Sequence, residues 1–161
     1  MKSDPVIIGE TSGRTDSQPL PALTAEQQAQ AQAAFMNMVE FAARAAYTAQ
    51  QTYLASRGED VPVWDAAEQG RRAAAFQSAL SIIQNNFKDA GIAHSLTVNA
   101  MKQDGWVAGP VPDASHKTHP DLVAWDELPD WKRLRSELFF NVVRSFFPYQ
   151  NQEILTRGGV R

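Results

Sequence analysis

The sequence predicts a mainly α-helical domain with short β elements, and three observations carry that expectation. Long stretches rich in good helix formers place their larger apolar residues three and four positions apart, the spacing of one helix face. Gly and Pro gather in a few short segments between them, where a chain turns. A Trp-Asp pair opens a helical stretch twice, at Trp64-Asp65 and at Trp125-Asp126. Both stretches are basic early and apolar later, which predicts two pseudo-symmetric helix–loop–helix units packed together.

The elements follow in order. Residues 1–22 are polar apart from Val6-Ile7-Ile8 and predict a flexible tail. Thr24 and Gln27 have capping-box spacing, so a helix is expected from residue 25 to about 56, ended by Gly58. Phe35, Met38, Val39, Ala42, Ala46 and Tyr53 form its apolar stripe. Its first turns, almost all Ala and Gln, would be weakly held unless they pack on something. After the loop 59–64, Asp65 is the expected cap of a second helix reaching about residue 85. A third helix is expected from about 92 to 103. Residues 105–124 read as irregular, with short strands at 106–107 and 122–123. A last helix runs from about 130 to 147, stopped by Pro148. The domain is thus placed at 23–150, with halves 23–90 and 91–150, and a C-terminal tail at 151–161.

Composition narrows the function. A chain of 161 residues has room for one domain with a real core. A net charge of −3 argues against non-specific nucleic-acid binding. The chain has no cysteine, which excludes disulfides, thiolate zinc sites and a cysteine nucleophile. No stretch approaches a membrane span and no apolar signal segment follows Lys2, so a cytoplasmic protein is expected. Walker, Gly-x-Ser-x-Gly and His-Glu-x-x-His motifs are missing, and no cofactor is called for.

The densest segment is Gly105-Trp106-Val107-Ala108-Gly109-Pro110-Val111 with His116-Lys117-Thr118-His119-Pro120 after it. Trp106 and Trp125 either plug the core or form a stacking wall for a flat ligand. Lys117 and His119, with His116, are either a solvated loop or a recognition site for an anion such as phosphate. A metal site from His94, His116 and His119 matches no standard spacing. Arg71-Arg72 and Lys132-Arg133-Arg135 oppose the dipoles of their helices. They read either as solvated faces, with Arg72–Glu68 and Arg133–Glu137 pairs, or as ligand contacts. Asp126-Glu127 is explained by helix capping. Because Trp-Asp recurs in both halves, Trp125 reads as a core anchor. Trp106, Lys117 and His119 have no counterpart in the first half and are the first candidates for function.

The block from His94 to Phe146 resembles the ryanodine receptor repeat domain family, most of all its short phage and bacterial forms. The resemblance rests on residues 99–102, the Gly105-Trp106-Val107 and Gly109-Pro110-Val111 turn, Asp113, Lys117-Thr118-His119-Pro120, Leu122-Val123, Asp126-Glu127-Leu128-Pro129 and the apolar face Leu138-Phe139 with Val142-Val143. Ala45-Ala46-Tyr47 and Trp64-Asp65 resemble the preceding half. The sequence departs from the family at Ala108, Pro112, Ala124-Trp125 and Ser136. The resemblance implies helical repeats facing each other around a pocket, nucleotide-like ligands and no established catalysis. It adds Asn99 and Lys102 to Trp106, Lys117, His119, Trp125 and Arg135 as candidate ligand-binding residues. The expected protein is a phage-type, non-enzymatic and homo-oligomeric binder of a small anionic ligand, acting in the host cytoplasm, where it sequesters a defence signal. The alternative is a virion or assembly protein with no small-molecule ligand.

Overall fold

The computed structural model describes residues 22–148. The chain folds as four helices and one two-stranded parallel sheet: α1 (Ala25–Ser56), α2 (Gln69–Gln84), α3 (Ala90–Gln103), β1 (Val107–Ala108), β2 (Thr118–His119) and α4 (Asp130–Phe146). The mainly α class with short β elements is therefore what the chain adopts. Expectations for residues 1–21 and for the C-terminal tail lie outside the described residues.

α1 starts as its sequence predicts. The Thr24 side chain accepts from Gln27 N while the Gln27 side chain accepts from Thr24 N, closing a capping box. Val39, Ala42, Ala43 and Ala46 are fully buried along one face. Their small size lets α4 lie close against α1, and this is the main helix–helix contact of the domain. The two helices run antiparallel. Gln50 Nε2 donates to Arg135 O at 2.9 Å, and at the other end the Phe35 and Phe147 rings meet edge-on at 5.9 Å. Phe139, Phe140 and Val143 bring the α4 face into the core.

The second helix differs from expectation at its start. Trp64–Ala66 forms a separate 3₁₀ turn and α2 begins only at Gln69, with Glu68 at the cap position making no side-chain cap bond. Asp65 is not a helix cap: its carboxylate accepts from Arg44 at 2.8 Å instead. The short strands lie at 107–108 and 118–119 rather than 106–107 and 122–123, because Val107 N donates to Lys117 O and fixes the register there. Arg133 pairs with Asp130 in place of Glu137, and no Arg72–Glu68 pair forms among the described residues.

The Trp-Asp turn of the first half recurs in the second. Trp125–Glu127 is also a 3₁₀ turn, and α4 begins five residues after Trp125 as α2 begins five after Trp64. The repeat extends to the preceding helices. Tyr47 of α1 donates to Pro62 O at 2.7 Å and meets the Trp64 ring at 5.4 Å. His94 of α3 bonds Val123 O through Nε2 at 2.9 Å and meets the Trp125 ring at 5.6 Å. In each half an aromatic ring from the first helix bonds the carbonyl two residues before the tryptophan and packs against that tryptophan.

A cleft between the two halves

The repeat positions a cleft of about 500 Å³, within the roughly 300–1,000 Å³ of ligand sites. Corresponding residues line it from both halves. Tyr47, Gln51 and Leu54 of α1 are matched by His94, Val98 and Met101 of α3, and Val61 by Leu122. Ala74, Ala75 and Ser78 of α2 are matched by Arg135, Ser136 and Phe139 of α4. The cleft is therefore lined by corresponding residues of both halves.

Its room has a cause in the sequence. α2 carries Ala74, Ala75 and Ser78 where α4 carries Arg135, Ser136 and Phe139, so the α2 wall is recessed. α3 begins at Ala90, the counterpart of Ala43, and so lacks the two turns with Phe35 and Val39 by which α1 seats on α4. α3 accordingly makes no extended contact with α2. The end of β2 and the loop after it bring His119, Asp121 and Leu122 to the cleft there instead.

The rim is polar and carries cations over an apolar floor that includes Phe139 and Phe140. Asp121 N donates to His119 Nδ1 at 3.1 Å. That bond requires an unprotonated Nδ1, so the neutral ring carries its hydrogen on Nε2. The Asp121 carboxylate accepts from the Lys132 ammonium and from Arg135 Nη2, the latter at 3.1 Å. Burial works to raise the Asp121 pKa, but the Lys132 hydrogen bond and charge, with those of Arg135, outweigh it and hold the group below the ordinary carboxylate value. Arg135 is thus already partnered. Arg71, on the opposite wall, is exposed and makes no ion pair among the described residues.

Of the seven residues singled out from the sequence, His119 and Arg135 line this cleft. Trp125 packs on His94 and borders a separate depression beside Asp89 and Glu137. Asn99 and Lys102 are exposed on α3 and do not line the cleft. Trp106 is half-buried where α3 turns into β1 and also lies outside the lining. Lys117 donates to Asp104 O at 2.6 Å and to its carboxylate at 3.3 Å, which fastens the loop to the end of α3.

The Gly-Trp-Val-Ala-Gly segment itself answers to backbone needs. Gly105 has φ +85°, a conformation an L side chain resists. A Cβ on Gly109 would lie 2.7 Å from Thr118 Cβ, so only glycine lets β1 approach β2. Asp113 caps the neighbouring turn. Its carboxyl is held down at about 2, by the Ser115 hydroxyl first and then by the His116 ring and backbone N–H. Among the described residues no group of three or more His, Cys, Asp or Glu side chains is placed to hold a metal, and no helix is long and apolar enough to cross a membrane.

Further cleft residues lie beyond those seven. Arg71, which the sequence leaves open between a solvated face and a ligand contact, stands early in α2 on the cleft wall. The correspondence of Tyr47 and His94 is hidden in the sequence, because connections of different length separate each ring from its Trp-Asp pair. Family models, curated proteins and solved structures were compared with the chain, and none matches it.

Proposed function

We propose that the chain is a non-enzymatic binding protein that holds a small anionic ligand in the cleft between its halves. The observation that supports this most is a cleft of ligand size whose lining joins apolar side chains to Arg71, which makes no ion pair among the described residues, and to His119 and Arg135. An apolar floor takes a flat or hydrophobic moiety, and a guanidinium takes a carboxylate or phosphate. The resemblance to the ryanodine receptor repeat family adds the expectation that the ligand is nucleotide-derived. It further suggests a phage protein that withdraws a defence signal from solution.

Calorimetry against a panel of nucleotides, cyclic nucleotides and ADP-ribose derivatives tests this, with neutral nucleosides and inorganic phosphate as controls. Heat from an anionic member is expected. Arg71→Ala should weaken binding roughly 10- to 100-fold, the value of one charged hydrogen bond. Ser78→Phe, which places on α2 the side chain α4 already carries, should abolish it by filling the cleft. Lys117→Ala should leave it unchanged. Loss of binding in Lys117→Ala with Arg71→Ala unaffected would move the site to the glycine loop, and no heat from any compound would end the proposal. A second reading, an assembly component, draws on the first turns of α1, which are exposed on every side.

A further inference from the structure

α1 is longer than the body it belongs to. At 1.5 Å per residue its 32 residues span about 48 Å. α4 ends level with Phe35, so residues 25–34 stand beyond the helices that cover the rest of α1, and all of them are exposed. Ala31, Ala34, Met38 and Phe41 follow one another at three- and four-residue steps and lie on one exposed face. Met38 and Phe41 are 52% and 62% exposed, and the Phe146 ring stands edge-on to Phe41 at 5.6 Å, widening the large end of the stripe. Glu26 and Glu40 are the only charged residues between 22 and 43.

We infer that this stripe is the interface for a second copy of the chain, with the two α1 helices antiparallel about a twofold axis. The stripe is small at its N-terminal end and large at its C-terminal end. Antiparallel pairing sets Ala31 against Phe41 of the second copy and Ala34 against Met38 of the second copy, so every layer joins a small residue to a large one. Parallel pairing sets Ala against Ala and Phe against Phe, leaving gaps at one end and crowding at the other. The antiparallel register brings Arg44, which also holds Asp65, level with the turn of Glu26 and Gln30. An interface of one patch used twice closes on itself and gives a dimer, not a filament.

Sedimentation of the full chain across a micromolar series should show reversible dimerisation, about twice the 17.8 kDa of the chain. Phe41→Glu and, separately, Ala34→Trp should each raise the dissociation constant at least about tenfold with an unchanged far-UV spectrum. The chain has no cysteine, so orientation can be read directly. Ala34→Cys and Met38→Cys proteins, mixed in equal amounts and oxidised, should give the mixed disulfide well above the one-half share that random pairing produces. A chain that stays monomeric overturns the inference, whatever covers the stripe. Predominant homodimer disulfides overturn the antiparallel arrangement.

Discussion

The two halves use one local device to different ends. In the first, Tyr47 and Trp64 are both buried, and the helix that carries Tyr47 continues for more turns along α4. In the second, His94 and Trp125 repeat the bond and the ring contact, but both are only half-buried and α3 is 14 residues long. The same Trp turn closes the core once and borders an opening once. What decides between the two is length and side-chain volume next to the turn: the turns of α1 that α3 lacks, and Ser78 standing where α4 has Phe139. A cleft arises here by leaving one of two similar joints unfilled.

Replacing the tryptophans separates the two uses most sharply. Trp64→Ala removes a buried indole and should cost about 4 kcal/mol of stability. Trp125→Ala should cost clearly less, because that ring is already half in solvent. Denaturant titration of both variants measures the gap, and equal losses would mean the halves are equally packed.

Arg144 tests how the halves are tied together. It occupies the position that Ile83 holds in the first unit, yet reaches across to α2. Its Nη2 donates to Ile82 O at 2.9 Å and to Phe87 O at 2.7 Å, and the guanidinium lies 5.7 Å from the Phe140 ring centre. These carbonyls stand at the C-terminal end of α2 and just beyond it, where a cation also meets the helix dipole favourably. Arg144→Ala should destabilise the chain by about 3 kcal/mol, and Arg144→Lys by less. Chemical denaturation distinguishes them.

The residue that corresponds to Asp121 in the first half is Asp60, which is exposed, does not line the cleft and makes no ion pair among the described residues. The Asp121 carboxylate joins Lys132 and Arg135 at the rim. Asp121→Asn leaves both cations without that partner and should cost about 2 kcal/mol at neutral pH, between the surface and buried limits. The sign with pH follows from its lowered pKa. The folded state holds the proton less tightly than the unfolded state, so the stabilisation is present above the ordinary carboxylate pKa and is lost as pH falls through the folded value. The parent should therefore lose more stability than Asp121→Asn on acidification, and parallel acid curves would contradict this.

The helices were legible because their signals are local. The Thr24–Gln27 box, the apolar stripes and Pro148 act within a few residues of the boundaries they set. The Trp-Asp repeat was legible as a pattern too. The start of α2 was not, since Asp65 satisfies the rule for a helix cap while Arg44, from another helix, takes its carboxylate. The site was the least legible part. Gly105, Gly109 and Lys117 drew attention as a chemical cluster, and each is used to hold the backbone of a tight loop. The cleft instead follows from small residues, Ala74, Ala75 and Ser78, whose meaning lies in what they leave empty. Nothing in their own types marks them.

The smallest expected effect tests whether the shared device is one device. Tyr47→Phe deletes the hydroxyl that donates to Pro62 O and keeps the ring against Trp64. It should cost about 1 kcal/mol, the ordinary net value of a hydrogen bond, with the carbonyl left to find water. His94→Phe deletes the matching bond to Val123 O and keeps a ring against Trp125. Because that carbonyl lies in the more open half, water replaces the lost donor more easily and the cost should be smaller. The exchange His94→Tyr decides the point. If the two joints are equivalent, a tyrosine hydroxyl reaches Val123 O as Tyr47 reaches Pro62 O, and thermal stability returns to that of the parent. A drop below His94→Phe would show that the second joint holds its carbonyl in a geometry only the shorter imidazole can meet, so that the repeat is shared in backbone and not in side-chain reach.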